Sequence, residues 1–433
     1  MRIALIKPGM GPIIEGYNID GGRMEPLQLA ILAGLVKKSD EVHLYDDRME
    51  KVPFKDEFDL VGITTDSFTA RRAYEISSKF RKTGAKVVLG GVHPTLLPQE
   101  AGKNADSVVL GDAEPVFGQL IEDLRENKLK PTYKGEFTTP QKGGLLPRRD
   151  LLEGKGYLPM SLVQFSRGCR MDCSFCSVSK FFQRSHNCRD PKDVVREIKA
   201  QGLKHILFVD DNLVSDRERV KELLRLLIPL KVKWASQSSI DMVKDPELME
   251  LMKRSGCVGH LVGFESIDVN TLKWLNKRIN AKKFDGYEAA LKVLREYGFQ
   301  IWGSFMIGND LDDRQSIRRT VEFAIKKKLA LAWFHILMPY PGTEVYERFK
   351  KEKRLLYGGH WWDHPDFRYN TATFKPKLMT PKELAEAAVE ANRRFYSLSS
   401  IAKRFLDTKT HMRNPMRMSI YARLNYILRS TSI

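Results

Sequence analysis

Three cysteines lie close together in a chain that has five. Cys169, Cys173 and Cys176 follow the spacing C-x3-C-x2-C, whereas Cys188 and Cys257 stand apart. An odd number of cysteines does not fit a disulfide framework, and clustered thiolates in a reducing compartment are typical of metal sites. The spacing therefore predicts a metal or iron–sulfur centre on one loop.

Three interpretations of this loop remain open from the residues alone. Three thiolates suit a four-iron, four-sulfur cluster, because the fourth iron is then free to bind a ligand. A zinc ion completed by a distant ligand such as His186 or Cys188 is the second interpretation, although structural zinc more often uses paired ligand knuckles. A chance grouping is the third. The spacing favours iron–sulfur over the other two.

The elements that position this loop form a series of strands and helices. The apolar pattern predicts six strands near residues 162–165, 205–209, 232–236, 259–264, 300–306 and 332–337. It predicts helices at 191–201, 216–228, 245–255, 283–297, 313–328 and 343–352. Six units are fewer than the eight of a closed barrel, so we expect an incomplete (β/α)6 barrel whose active site lies at the carboxyl ends of its strands.

The first 125 residues have a similar alternation. Short apolar runs predict strands at 3–6, 42–45, 60–64, 87–89 and 108–110, with helices at 26–37, 69–82 and 114–125. This α/β pattern predicts a doubly wound, Rossmann-like parallel sheet, in which ligands bind beyond the carboxyl ends of the strands. Those ends carry Thr64-Thr65, Gly90-Gly91-Val92-His93 and Gly111-Asp112-Ala113-Glu114.

The chain divides into four segments on this pattern. We expect a first domain over 1–130, a linker rich in proline and glycine over 131–158, the partial barrel over 159–355, and an aromatic, helical and basic region over 356–433. With 433 residues, the chain is too long for one small binding module.

Net charge and hydropathy indicate which partners and which cellular location to expect for the protein. The net charge is +18, which suits an anionic partner, although a merely well-solvated surface explains it equally well. Residues 401–433 are basic and interleaved with apolar positions, so they predict either a helix lying on an anionic membrane or a terminal helix docked on the core. The sequence has neither a membrane-spanning run nor a signal peptide, so we expect a cytoplasmic protein.

The cysteine motif resembles that of the radical S-adenosylmethionine (SAM) superfamily, including Phe175 directly before the last cysteine. The preceding domain, with its GGVHPT and GDAE segments, resembles the cobalamin-binding domain of the cobalamin-dependent branch. The similarity extends over nearly the whole chain. The resemblance implies a 4Fe-4S cluster on Cys169, Cys173 and Cys176, together with SAM and cobalamin.

The resemblance also assigns further residues to the two organic cofactors. For SAM it implies Phe175, Gly303 and Gly308 close to the adenine, Asp210 and Asp211 facing the amino group of the methionine part, and Gln237 and Glu265 at the ribose and the methionine part. Helix capping, strand-end hydrogen bonding and plain strand ends are their ordinary alternatives. For cobalamin it implies Thr64, Thr65, Gly90, Gly91, His93, Gly111 and Glu114, with tight turns and a structural histidine as alternatives. The cobalt-ligating D-x-H-x-x-G motif is absent, so histidine ligation of cobalt is not expected.

The implied reaction is methylation of an unactivated carbon. A C–H bond of negligible acidity is not opened by a general base, whereas a radical derived from SAM removes its hydrogen and methylcobalamin supplies the methyl group. The expected substrate is a lipid or isoprenoid, or a tetrapyrrole-like molecule, and electrons are expected from a flavodoxin or ferredoxin. Trp302, Trp333, His335, Tyr340, Trp361 and Trp362 are candidates to line the substrate cavity, with core packing as their alternative. Cyclisation, rearrangement or oxidation is the alternative outcome, and RNA modification is a weaker one, since no nucleic-acid-binding module is recognised.

Overall fold

Two six-stranded parallel sheets organise the protein. The computed structural model describes residues 1–10, 23–281 and 287–432. Each sheet is built from strands whose neighbours all run in the same direction, with helices packed against them. The α/β class predicted from the alternating pattern is therefore confirmed.

The first sheet has the strand order β2-β1-β3-β4-β5-β6. Its strands are β1 (Arg2–Lys7), β2 (Glu41–Asp46), β3 (Leu60–Thr64), β4 (Lys86–Gly90), β5 (Ser107–Gly111) and β6 (Thr132–Gly135). The helices around it are α1 (Leu27–Ala33), α2 (Ala70–Lys82), α3 (Val92–Leu96), α4 (Pro98–Lys103) and α5 (Glu114–Arg125). Separate apolar clusters cover its two faces, as expected for a buried parallel sheet.

One strand of this sheet was not predicted. β6 lies within residues 131–158, the segment expected to be a linker, and it pairs along the edge of β5. Its sequence, Thr-Tyr-Lys-Gly, carries a single buried residue, Tyr133, so it shows no apolar run. It is a strand because it pairs with β5, and the pattern of residues within β6 alone does not reveal that pairing.

The second sheet has the strand order β14-β13-β12-β11-β10-β7. Its strands are β7 (Ser161–Val163), β10 (His205–Phe208), β11 (Lys233–Gln237), β12 (Cys257–Glu265), β13 (Gln300–Ile307) and β14 (Leu331–Ile336). All six were predicted. Among the described residues the edge strands β7 and β14 do not pair with each other, so the barrel is open.

Helices follow the strands of the second sheet. They are α7 (Pro191–Ala200), α8 (Arg217–Leu227), α9 (Pro246–Arg254), α10 (Val269–Trp274), α11 (Arg278–Ala281), α12 (Tyr287–Tyr297), α13 (Arg314–Lys326) and α14 (Glu344–Lys351). Residues 283–286 of the helix expected at 283–297 lie outside the described residues. Asp190, Asp216 and Asp245 cap α7, α8 and α9 by accepting bonds from backbone N–H groups, which explains where these helices begin.

Stacked aromatic rings form the outer face of the barrel sheet. Phe264, Phe305 and Phe334 lie on neighbouring strands, with centroids 5.3 and 5.5 Å apart and nearly parallel rings. Alternate residues of β13 and β14, among them Ser304 and His335, are only partly buried and belong to the inner face. The strand period thus sends the large apolar side chains toward the helices and leaves polar and aromatic groups inside.

The cysteine loop begins from a small antiparallel ribbon. β8 (Ser166–Gly168) pairs with β9 (His186–Cys188), and the short helix α6 (Ser177–Phe181) lies between them. This ribbon was not predicted, because its strands, Ser-Arg-Gly and His-Asn-Cys, carry no apolar run. It fixes both ends of the segment that carries Cys169, Cys173 and Cys176.

The C-terminal region ends in helices α15 (Pro381–Phe395), α16 (Leu398–Phe405) and α17 (Pro415–Ser432). Arg404 is fully buried and donates to the carbonyls of Leu329 and Ala330 at 3.0 and 2.8 Å. Arg417 and Tyr421 are buried as well. The structure therefore shows the docked terminal helix, one of the two expectations for residues 401–433. Contact with a membrane stays a prediction, and none of the described helices is long and apolar enough to cross one.

Candidate active site

The loop that carries the three cysteines follows a glycine in an unusual conformation. Gly168 has φ = +87°, and a Cβ at this position would overlap the carbonyl of Ser185 on the opposite strand. Any larger side chain would therefore push the ribbon apart. This glycine turns the chain so that Cys169 leaves the ribbon toward the carboxyl ends of the barrel strands.

The three thiols lie within electrostatic range of one another. Cys173 is buried, and Cys169 and Cys176 are half-buried. Burial raises the pKa of Cys173 to about 12, nearby Lys277 opposes that rise, and Cys176 and Cys169 add to it. Burial, and to a smaller degree Cys176, also raises the pKa of Cys169.

The three thiols of the loop suit the donor set of a 4Fe-4S cluster. Among residues 1–10, 23–281 and 287–432, no three His, Cys, Asp or Glu side chains are close enough to share one ion. A 4Fe-4S cluster binds each thiolate to a different iron, so it does not require such convergence. Binding a cluster would also stabilise the thiolate form of these buried cysteines.

The two adjacent aspartates hold the loop in place. Asp210 is buried and accepts hydrogen bonds from the backbone N–H of Phe165 at 3.1 Å and from both the N–H and the hydroxyl of Ser166. Asp211 accepts from the N–H of Gly168 at 2.8 Å. The expectation that both face the amino group of SAM is therefore corrected for Asp210, whose two oxygens are occupied by backbone and serine donors. Burial raises the pKa of Asp210 to about 7.

A lysine that the sequence analysis missed lies beside the cysteines. The Nζ of Lys277 is 3.0 Å from Oε1 of Glu265 and 6.0 Å from the centre of the Phe175 ring. Glu265, Cys173 and Cys176 raise the pKa of Lys277 despite its burial, so it carries a positive charge. Phe175 and Glu265, both predicted as SAM-binding residues, are thus brought together with the cluster loop. A lone lysine after a short helix gave no signal in the sequence.

The other three predicted SAM-binding residues lie differently. Gln237 is exposed at the end of β11 and donates to the carbonyl of Asp211 at 2.9 Å, close to the loop. A Cβ at Gly303 would meet Leu329 on the outer face, and one at Gly308 would meet Leu384 of α15. Packing against these leucines explains both glycines, and the structure does not bring either into the group around the cysteines.

A cavity lies at the carboxyl edge of the first sheet and faces the barrel. Its volume is about 330 Å³, at the lower end of the range for small-molecule sites. Its walls are mostly apolar, and they include five of the seven predicted cobalamin-binding residues: Thr64, Gly90, Gly91, Gly111 and Glu114. Gln164, Phe181 and Phe182 on the barrel side close it. A corrin would fill this cavity and extend beyond it.

The glycines of the cavity differ in whether the surrounding protein requires a residue without a side chain. A Cβ at Gly91, which has φ = +109°, would lie 2.8 Å from the carbonyl of Thr65, and one at Gly111 would overlap the carbonyl of Gly135. A Cβ at Gly90 would only touch Val109 at 3.7 Å. Neither protein packing nor backbone conformation requires glycine at position 90. The free space at Gly90 is therefore a cradle that fits a bound group.

Two of the predicted cobalamin-binding residues lie outside the cavity. His93 is fully buried and joins Tyr74 at 3.0 Å and Glu100 at 3.2 Å. Glu100 also accepts from the indole N–H of Trp362 at 3.0 Å. Thr65 is buried beneath the loop. The alternative of a structural histidine is what the structure shows, and His93 ties the aromatic C-terminal segment to the first domain.

An arginine joins the cavity to the cysteine loop. Arg167 stands two residues before Cys169 and contacts Asp112 at 3.0 Å and Glu114 at 2.7 Å, both of them cavity residues. The acidic partners raise the pKa of Arg167 despite its burial, whereas burial raises the pKa of Asp112. The sequence analysis did not single out Arg167, because its partners lie more than fifty residues away along the chain.

The six aromatic and histidine candidates for a substrate cavity divide into two groups. Trp333, His335 and Tyr340 are half-buried on or after β14, at the inner end of the barrel. Trp302 lies on the same inner face of β13, is more deeply buried, and has an indole N–H with no partner among the described residues. Trp361 and Trp362 instead pack in an apolar cluster with Phe68. Core packing, their alternative, is correct for these two.

Comparison with protein families supports the interpretation of the cysteine loop. The family model of the radical SAM superfamily matches residues 163–324, which include all three cysteines and the strands from β8 to β13.

Two curated relatives are similar over most of the chain. Bacteriochlorophyllide d C-12(1)-methyltransferase of Chlorobaculum tepidum is 31% identical over 399 residues, covering 89% of this chain and 86% of the relative. Bacteriochlorophyllide d C-8(2)-methyltransferase of the same organism is 30% identical over 356 residues, covering 77% and 78%.

A solved structure shares the fold over nearly the whole length. The radical SAM methyltransferase TsrM of Kitasatospora setae, with cobalamin and a [4Fe-4S] cluster bound, has a TM-score of 0.66 at 16% identity, covering 90% of this chain and 88% of that one. The two chains therefore share a fold over most of their lengths.

Proposed function

This chain belongs to the radical SAM superfamily, among its methyltransferases, and from that premise we propose that it methylates an unactivated carbon of a tetrapyrrole-like substrate with the help of cobalamin. When bound, the cluster, SAM and cobalamin would supply the carbon-centred radical and the methyl group. The chain itself then needs no strong base. Its tasks are to hold these groups, orient the substrate and exclude water.

The cofactors have candidate residues on the two facing edges. Cys169, Cys173 and Cys176 would hold the cluster, and Lys277 would place a positive charge next to it. For SAM, the residues that remain close to the cluster loop are Phe175, Asp211, Gln237 and Glu265. For cobalamin, they are Thr64, Gly90, Gly91, Gly111 and Glu114. The bonds to Asp210 would keep the loop rigid during turnover.

One observation carries the proposal, namely that the apolar cavity and the cysteine loop share Arg167. Its guanidinium binds two carboxylates of the cavity rim, and its backbone precedes Gly168 and Cys169. A ligand in the cavity would therefore lie beside a cluster on the loop. Transfer of a methyl group to a substrate radical requires such proximity of donor and radical source.

The substrate class rests on the relatives and on the inner face of the barrel. Both relatives act, by their names, on bacteriochlorophyllides. Trp302, Trp333 and Tyr340 offer flat aromatic surfaces on the inner side of the barrel, and Tyr340 lies within electrostatic range of Cys176. Desolvation lowers the pKa of half-buried His335 to about 4, so it stays neutral at physiological pH. Flat, apolar surfaces of this kind suit a planar macrocycle better than a highly charged substrate.

The test begins with anaerobic purification and reconstitution with iron, sulfide and cobalamin. The protein is then incubated with SAM, a strong reductant and a bacteriochlorophyllide. We expect both 5′-deoxyadenosine and S-adenosylhomocysteine, and a product one methylene heavier than the substrate. The triple variant Cys169→Ala, Cys173→Ala, Cys176→Ala is the control and should form neither nucleoside.

Other outcomes separate the parts of the proposal. Formation of 5′-deoxyadenosine without S-adenosylhomocysteine would replace methylation by cyclisation or oxidation. Methylation of a lipid but not of the tetrapyrrole would overturn the substrate class alone. A protein that binds iron and cleaves SAM but never retains cobalamin would overturn only the assignment of the cavity.

A further inference from the structure

A second cleft lies at the end of the barrel opposite the cysteine loop. It is formed where β11 and β12 begin and where α12 and α17 meet them, and its volume is about 140 Å³. Gly256 at the start of β12, Tyr297 at the end of α12 and Asn414 just before α17 are among its walls. Neither the proposed reaction nor the proposed cofactors use this region.

The cleft is strongly cationic. Lys233, Lys253, Arg413 and Arg417 line it, and no carboxylate belongs to its walls as far as the described residues go. Within the part of the chain that the structure describes, one acid forms an ion pair with these four side chains: Oε2 of Glu250 is 3.9 Å from the Nζ of Lys253 on the exposed side. An exposed pair at this distance contributes little. Four positive charges thus converge on one small space without compensation.

Arg417 is the buried centre of this group. It is 7% exposed, and its Nη2 donates to the carbonyl of Cys257 at 2.9 Å. Its Nη1 is enclosed and has no hydrogen-bond partner among the described residues. Burial, increased by repulsion from Arg413, lowers the pKa of Arg417 to about 10. A buried guanidinium with a free donor is costly unless an acceptor reaches it.

The N-terminal end of α17 also faces the cleft and favours binding of an anion. Asn414 accepts a bond from the backbone N–H of Arg417 at 3.0 Å, so the first turn of this long helix forms one wall of the cleft. The N-terminal end of a helix carries a partial positive charge. The helix and the four side chains therefore act in the same direction.

We propose that this cleft is a binding site for a phosphate group. The forked N–H donors of a guanidinium match the oxygens of a phosphate group. Two arginines and two lysines also favour a phosphate dianion over a carboxylate, which carries only one negative charge. The cleft is large enough for a phosphate together with a small part of the molecule that carries it. By bridging α17 to the first residues of β11 and β12, the bound group would fasten the C-terminal helix under the barrel.

Thermal unfolding of the full chain tests this proposal. The melting temperature is measured with rising concentrations of inorganic phosphate, at an ionic strength kept constant with sodium chloride. A ligand that binds only the folded state raises the melting temperature with the logarithm of its concentration. We expect this rise for the natural chain and at least a tenfold weaker apparent affinity for Lys253→Gln with Arg413→Gln. Both of these side chains are exposed, so the variant should fold, and its iron content after reconstitution verifies that it does.

The matched control is Arg423→Gln, which removes an exposed charge from α17 at a position that does not line the cleft. It should keep the full response to phosphate. Equal responses of the double variant and the natural chain would overturn the proposal, and so would the absence of any response to phosphate beyond that to chloride.

Vesicles of phosphatidylglycerol form the second arm of the experiment and identify the source of the phosphate group. Vesicle binding that inorganic phosphate competes away and the double variant lacks would assign the site to a lipid headgroup. A response to inorganic phosphate without vesicle binding would assign it to a soluble phosphorylated molecule. Vesicle binding that the double variant retains, with no response to inorganic phosphate, would refute the site.

Discussion

The carboxyl edges of the two parallel sheets differ sharply in chemistry. The edge of the first sheet ends in threonine and glycine residues and encloses a mostly apolar cavity. The edge of the barrel sheet carries three thiols, buried carboxylates and Lys277. Both sheets use the same rule for placing ligands, since loops at the carboxyl ends of parallel strands are free to vary.

The difference shows that the same sheet architecture can bind different groups, depending on which side chains stand at the ends of its strands. Removing side chains, as at Gly90, makes room for a large group that brings its own chemistry. Adding ligands and charges, as on the cysteine loop, holds a small polar centre in a fixed position. Arg167 couples the two edges, because it belongs to the second and is neutralised by the first.

The largest effect is expected from breaking that coupling. Arg167→Ala leaves Asp112 and Glu114 partly buried without a cation, and we expect it to lower the free energy of unfolding by about 3 kcal/mol or more. Urea unfolding followed by circular dichroism measures the change. Arg148→Ala, which removes an exposed arginine paired only with Asp150, should cost less than about 0.5 kcal/mol. Similar losses in both variants would show that the two edges are not coupled through Arg167.

The next largest effect should separate the edges functionally. Gly90→Leu fills the cavity without a clash at its Cβ, so we expect roughly a hundredfold weaker retention of cobalamin, or about 2.7 kcal/mol. Iron content should not change, because the cysteine loop is untouched. Absorbance of bound cobalamin after gel filtration gives the measurement. Gly102→Leu, which enters open space outside the cavity, is the control. Unchanged cobalamin retention in Gly90→Leu would contradict the assignment of the cavity.

A pH effect is expected from Asp210 on the barrel side. The folded pKa of Asp210 is raised to about 7, above its unfolded value near 3.8, so the folded state binds the proton more tightly. Its contribution to stability is therefore greatest in acid and is lost as the pH rises toward 7. We expect Asp210→Asn to remove a decrease in the free energy of unfolding of roughly 2 to 3 kcal/mol between about pH 5 and about pH 8.

Urea unfolding across this pH range measures the effect. The control is Asp150→Asn, in which the exposed carboxylate has a pKa lowered by Arg148. It should leave the slope of stability against pH in that range unchanged. A slope that survives in Asp210→Asn would show that another group causes it.

The smallest effect concerns the charge beside the cysteines. Lys277→Met removes a cation that would stabilise the more negative, reduced state of a bound cluster. We expect the midpoint potential to fall by a few tens of millivolts, which corresponds to about 1 kcal/mol or less. Titration followed by electron paramagnetic resonance measures it. Lys273→Met, an exposed neighbour, should not change the potential, and an equal change in both variants would contradict a local role for Lys277.

Most of the fold follows from local pattern. The strands of the barrel and five strands of the first sheet are short apolar runs separated by amphipathic helices, so their positions are written in the residues themselves. The exceptions are β6 and the ribbon of β8 and β9. Their few residues carry no apolar period, and they are strands because a partner strand lies beside them.

The candidate site was only partly predictable. The cysteine spacing and the glycine-rich strand ends identified the two edges. Phe175 and Glu265 lie beside Lys277 near the cysteine loop, and the glycines line the cavity, whereas their binding of cofactors stays a prediction. Asp210, His93, Gly303 and Trp361 were expected to meet ligands but bind or pack against the protein instead. Each of these residue types can either contact a ligand or contact the protein itself. Which of the two occurs depends on the residues that surround it in the folded chain.

The sequence by itself determined the order of two α/β units, the cysteine loop and the glycines at the strand ends, because these depend on spacing within a few residues. Only the tertiary structure decided that Arg167 bridges the two edges, that Lys277 stands beside the cysteines, and that Arg417 is buried in a cationic cleft. These relations join residues far apart along the chain. Charge and burial act through distance in space, which the order of residues alone does not specify.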